Sequence, residues 1–170
     1  AFALPKILDK LNDRTVMLSG TVVLVVGLFS GYFISAYTGL LALWFILGIG
    51  YSVSQTPTGR LIRKSASSEN RTALFAAQFA FSHACWLITY PLVGWLSTSF
   101  GTLITFLPMA FIALVSIVVA FVIWPKNDNL VLEHTHLDLP EDHEHLLQHN
   151  YKGKHEHEFM IDSYHQHWPK

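Results

Sequence analysis

Nine of the ten histidines lie between His134 and His167, as His134-Thr-His136, His143-Glu-His145 with His149 four residues further on, His155-Glu-His157 and His165-Gln-His167. Residues two apart in an extended chain point the same way. Each His-x-His pair can therefore close on one ion, and His145 with His149 can do so across one turn of helix. Asp138, Asp142, Glu144 and Glu156 add oxygen ligands and negative charge nearby. Imidazole and carboxylate without thiolate suit borderline divalent ions such as Ni²⁺, Zn²⁺, Co²⁺ or Cu²⁺, and the affinity order alone does not choose among them. The expected metal ligands are thus all nine of these histidines, with no other cofactor required. The competing reading is an acidic, pH-responsive tail in which histidine is simply polar.

The tenth histidine, His83, stands in an apolar stretch with Gln78 and Ser82. Gln78 and Ser82 are four apart and share a helix face, with His83 beside it. Polar side chains inside a membrane need a partner or a water-lined cavity, so Gln55, Gln78, Ser82 and His83 are the candidates for a substrate pathway. An imidazole there can carry a coupling proton or offer a nitrogen to a metal; alternatively it is a hydrogen-bonded packing residue.

The elements that must position these residues follow from the distribution of charge. The chain has 170 residues, 51% hydrophobic and only 14% charged, whereas a soluble domain carries about a quarter charged residues. Residues 1–125 hold seven Lys/Arg and three Asp/Glu, a balance of +4, while residues 126–170 hold four and nine, a balance of −5. The chain divides near Pro125 into a membrane part, 1–125, and a His-rich tail, 126–170. A bilayer core of about 30 Å needs roughly 20 apolar residues of helix, because every backbone polar group must be paired within its own segment. Four stretches qualify, about 16–36, 40–57, 72–96 and 103–124, and none contains Asp, Glu, Lys or Arg. The expected fold is an all-α polytopic membrane bundle with a mostly irregular soluble tail.

Lys6, Lys10 and Arg14 precede the first span, and Arg60, Arg63, Lys64 and Arg71 fill the second connection, while the other connections are uncharged. Positive residues favour the cytoplasmic side. Both ends of the chain are therefore expected to be cytoplasmic in a multi-pass protein of the cell (inner) membrane. Attraction between the acidic tail and the basic connections is then a restraint on loop motion. Phe159-Met160-Ile161, Tyr164 and Trp168 give the tail apolar side chains with which to dock. The single cysteine, Cys85, excludes a disulfide framework and a Cys-based zinc motif. No Ser/His/Asp or Cys/His constellation, phosphate loop or nucleic-acid stripe occurs, so neither an enzyme nor a nucleic-acid partner is expected. The chain opens Ala-Phe-Ala without an initiator Met, which points to a start partway through a larger protein whose remaining helices are partners.

Basic inner connections alternating with very short outer ones resemble a stretch of a major facilitator superfamily transporter. The family's signature loop reads Gly, three residues, Asp, Arg/Lys, any, Gly, Arg, Arg/Lys. Here Asp9, Lys10 and Arg14 match it, while Asn12 and Asp13 stand where it has Gly and Arg, and Pro5 where it has its first Gly. Glu69-Asn70-Arg71 is similar to the Glu-x-Arg before a fifth or eleventh helix, and Pro91-Leu92-Val93-Gly94 resembles the Pro-x-x-Gly of exporters without its preceding glycines. The resemblance implies helices nine to twelve, although helices three to six fit the same orientation. It further implies a secondary transporter, and similarity to nickel-resistance exporters with His-rich tails implies proton-coupled efflux of a divalent metal such as nickel. The alternatives are an exporter of small organic compounds or sugars whose tail senses metal or pH, and a membrane-anchored metal-binding protein.

Overall fold

The computed structural model describes residues 12–67, 69–124, 131–134, 155–158 and 161. The chain forms helices α1 (Asp13–Gly31), α2 (Tyr37–Gln55), α3 (Thr58–Ser65), α4 (Arg71–Phe100) and α5 (Thr102–Ile123), then strands β1 (Val131–His134) and β2 (His155–Glu158). Four helical stretches are long and apolar enough to cross a membrane, and the second, Tyr37–Ser65, runs from α2 through α3. At about 1.5 Å per residue, the 30 residues of α4 outreach a bilayer core of about 30 Å.

α1 is the centre of the packing, antiparallel to both α2 and α5. Near its middle Thr21 meets Ser54 at the end of α2, their hydroxyl oxygens 3.4 Å apart. Since Thr21 donates to Met17 O at 2.9 Å, Ser54 is the donor across the helices. Gly20 is what permits this approach: a Cβ there would lie 2.5 Å from Ser54 N and 2.7 Å from Gly50 O, both backbone atoms. At the far end of α1 Gly31 receives the ring of Phe106 on α5, whose Cδ1 would sit 2.5 Å from an added Cβ. Gly27 faces Leu47, whereas Gly48 meets nothing within 4 Å.

Only one residue, Gly101, separates α4 from α5, and its φ of 92° is a value at which a side chain would be strained. Ser97 closes the turn by donating to Thr105 Oγ1 at 3.2 Å, since the Thr105 hydroxyl is itself given to Gly101 O at 3.0 Å. Pro91 and Pro108 both lie inside continuous helices. Neither starts a new segment, although each removes one helical N–H donor.

Large apolar side chains cover the outside: Phe81 is 75%, Leu87 76% and Val122 76% exposed, and α4 buries no residue within the chain. A surface of this kind suits lipid or further apolar helices and would associate in water. In the tail, β1 and β2 pair antiparallel, with Val131 opposite Glu158, Leu132 opposite His157, Glu133 opposite Glu156 and His134 opposite His155.

Candidate functional site

At one end of the bundle the starts of α1 and α4 meet α3 and the finish of α5, and most of the charge of the membrane part gathers there. The last carbonyls of a helix have no partner within it. Arg14 supplies one to α5: its Nε donates to Trp124 O at 3.2 Å and its Nη2 to Phe121 O at 3.1 Å. Its guanidinium carbon also lies 4.8 Å from the centre of the Phe121 ring, a cation–π arrangement. A positive group at a helix C-terminus is favourable in addition to the hydrogen bonds. Asp13, only 1% exposed, accepts from Arg60 Nε at 2.9 Å and is also held by Arg60 Nη2. This ion pair pins the start of α1 to α3.

α3 is short and carries Arg63 and Lys64 in its last turn, the end where cations offset the helix dipole. Lys64 O, one of its terminal carbonyls, accepts a hydrogen bond from the backbone N–H of Ile161 at 3.0 Å. The tail therefore touches the connection between α2 and α4. Arg71 opens α4, and its Nε is buried without a hydrogen-bond partner among the described residues.

Of the pathway candidates, Gln78 and Ser82 are joined, with Gln78 Nε2 donating to Ser82 Oγ at 3.4 Å, and both are half-buried. His83 is exposed within the four helices and turns back along α4, its Nδ1 donating to Phe79 O at 2.8 Å. In the neutral ring this leaves Nε2 as the nitrogen open to a proton or a metal. The imidazole lies between Phe79 and Trp86, with ring centres 3.8 Å and 4.8 Å away, and Trp86 stacks in turn on Tyr90 at 6.3 Å. Gln55 is exposed at the end of α2, and no hydrogen bond joins it to Gln78, Ser82 or His83 among the described residues.

His134, His155 and His157 fall in the two strands, whereas His136, His143, His145, His149, His165 and His167 lie outside the described residues. Among the described residues no preformed group of three or more metal-ligating side chains is found. The charged end of the bundle contains pairings that reading the sequence does not supply. Asp13 and Arg14 belong to the signature-like loop, but their partners Arg60, Phe121 and Trp124 are remote in sequence. The available signal was an acidic residue beside the first span with a surplus of arginines in the second connection.

A family model described as Major Facilitator Superfamily matches residues 1–144. The chain belongs to the major facilitator superfamily. Comparison with curated proteins and with solved structures gave no match. Membership makes this a multi-pass membrane chain of the secondary-transporter class, whose members are transporters and not enzymes. In superfamily terms Asp13 stands where the signature loop has an arginine, and Arg60 across the interface holds the opposite charge.

Proposed function

We propose that this superfamily chain is part of a proton-coupled exporter of a divalent transition metal such as nickel. Its four spans correspond to helices nine to twelve, and both ends face the cytoplasm of the cell that carries it in its inner membrane. The observation that carries the reading is the histidine clustering: nine of ten histidines in an acidic tail, four of them beginning His-x-His pairs, with Ile161 of that tail bonded to the connection between α2 and α4. The tail collects metal or regulates, while the path itself runs through the membrane, because a segment so polar does not enter hydrocarbon. The further helices that complete the transporter are partners, since superfamily transporters work by rocking one six-helix half against another. Metal binding needs neutral imidazole, so the tail's affinity falls as pH drops through about 6.5.

The test is the nickel content of cells expressing the full-length protein, challenged with external nickel. Lower cell-associated nickel than in empty-vector cells supports metal export. A second reading, export of small organic compounds with the tail as sensor, is favoured by the aromatic run Phe79, His83, Trp86 and Tyr90 on α4. Unchanged nickel content together with reduced accumulation of an aromatic cationic dye would select it.

A further inference from the structure

The last carbonyls of a helix have no donors within it and must find them elsewhere. Four of the five described helices close their own ends: the backbone N–H of Tyr32 returns to Phe29 O and Ser30 O at the end of α1, that of Thr56 to Ser52 O at α2, that of Gly101 to Ser97 O at α4 and that of Trp124 to Ala120 O at α5. α3 ends differently. Its chain leaves at Ala66 in an extended conformation, φ −117° and ψ 129°, and among the described residues no such returning bond closes it. The donor at this end comes instead from the tail, as Ile161 N–H to Lys64 O at 3.0 Å. We propose that the C-terminal end of α3 is a docking site for the chain's own tail, with the backbone N–H of Ile161 as the cap that α3 lacks. The contact is independent of what the transporter carries and of whether the tail binds metal.

α3 needs such support. It has eight residues, well short of the roughly 12–15 at which a helix is even marginal alone in water. Near its start the Arg60–Asp13 ion pair fastens it to α1, and at its finish the tail supplies the second hold. The second contact is sheltered: Lys64 is 7% exposed, Ala66 is fully buried and Ile161 is half-buried. A hydrogen bond screened from water is electrostatically stronger than one in it. Charge favours the same pairing, because residues 126–170 balance at −5 and the connection from α2 to α4 carries Arg60, Arg63, Lys64 and Arg71. Opposite charges on the two segments draw them together over about a Debye length, ~8–10 Å in physiological salt. The consequence extends beyond α3. Arg60 holds Asp13 at the start of α1, and the adjacent Arg14 holds the carbonyls that end α5. A seated tail therefore bears on three helices at the charged end of the bundle through one backbone carbonyl.

Amide hydrogen exchange of the full-length protein in lipid nanodiscs tests the cap. Ile161→Pro removes the donating N–H, whereas Ile161→Ala keeps it and trims only the side chain. The net worth of one hydrogen bond, about 1 kcal/mol, corresponds to about fivefold in a local opening equilibrium. In Ile161→Pro, and in the protein lacking residues 126–170, the amides of α3 should therefore exchange about fivefold faster than in the unaltered protein. Exchange in the interior of α4 should stay unchanged in both. Ile161→Ala should remain within about twofold of the unaltered protein at α3, since its backbone donor is intact. Unchanged α3 exchange in both Ile161→Pro and the truncated protein would overturn the docking site. Faster exchange in the truncated protein alone, or in Ile161→Ala as much as in Ile161→Pro, would overturn the backbone N–H of Ile161 as the cap.

Discussion

Asp13 and Arg14 are neighbours that do opposite jobs at the same end of the bundle. Asp13 is buried against Arg60 of α3, and Arg14 reaches the terminal carbonyls of α5. Breaking a buried pair leaves charge in a poorly solvated place. Asp13→Ala should therefore lower stability by about 3 kcal/mol, toward the small end of the range for such pairs, because the Arg60 side chain is 22% exposed. Thermal unfolding in detergent reads this, and a melting temperature unchanged from the unaltered chain would show the pair to be dispensable. Arg14→Lys should destabilise despite conserving charge, since an ammonium lacks the planar fork whose two nitrogens reach two carbonyls while the group lies over the Phe121 ring; equal stability of the two chains would contradict the capping role. His83 is a different case. Its Nδ1 is occupied by Phe79 O, so a role in proton coupling falls to Nε2, and His83→Ala should slow transport by the full-length protein or shift its pH dependence. Unchanged rate and pH profile would leave His83 only its packing between Phe79 and Trp86. That Gln78 and Ser82 share a helix face was legible from four-residue spacing, but their hydrogen bond and the ring orientation of His83 were not, because i, i+4 spacing does not reveal which side-chain rotamers the neighbours favour.

At the scale of elements, long charge-free runs made the spanning helices legible, since in hydrocarbon little but a helix can satisfy the backbone. α3 was not, because eight residues rich in Arg and Lys read as a basic connection and its helix depends on a bundle end to lie against. The β1–β2 ribbon was hidden for a related reason: its register couples segments separated by residues 135–154, and local pattern carries no such information. Gly20 was also missed. It has no glycine four residues away on α1, unlike Gly27 and Gly31, and only the partner helix shows that a side chain there would strike the backbone of Ser54. Gly20→Val should force α1 from α2 and lower stability by about 1–3 kcal/mol, as overpacking does. Gly48→Ala, with nothing within 4 Å of its added Cβ, should instead be neutral or gain about 0.5–1 kcal/mol from helix propensity. Melting temperatures of the two variants moving in the same downward direction would contradict this account of the α1–α2 crossing.

Over the whole molecule, an acidic tail balanced at −5 belongs to a membrane part balanced at +4, and Ile161 marks where the two touch. The family followed from the whole pattern of spans and connections, which survives although both glycines of the signature loop are absent. What is carried is less legible than the family, because the candidate polar residues Gln55, Gln78, Ser82 and His83 are few and, among the described residues, only Gln78 and Ser82 are joined to one another. If the tail gathers or regulates while the path lies in the membrane, deleting residues 126–170 from the full-length protein should weaken metal tolerance by degree without abolishing it. Complete loss of tolerance with normal membrane insertion would place the essential binding step in the tail itself. The central claim, metal export driven by protons, is tested most directly in inverted membrane vesicles containing the full-length protein, by measuring ⁶³Ni²⁺ accumulation with and without an imposed proton gradient. Accumulation that requires the gradient and collapses with a protonophore is the result expected; accumulation no greater than in vesicles lacking the protein, under a gradient verified to be present, would contradict it.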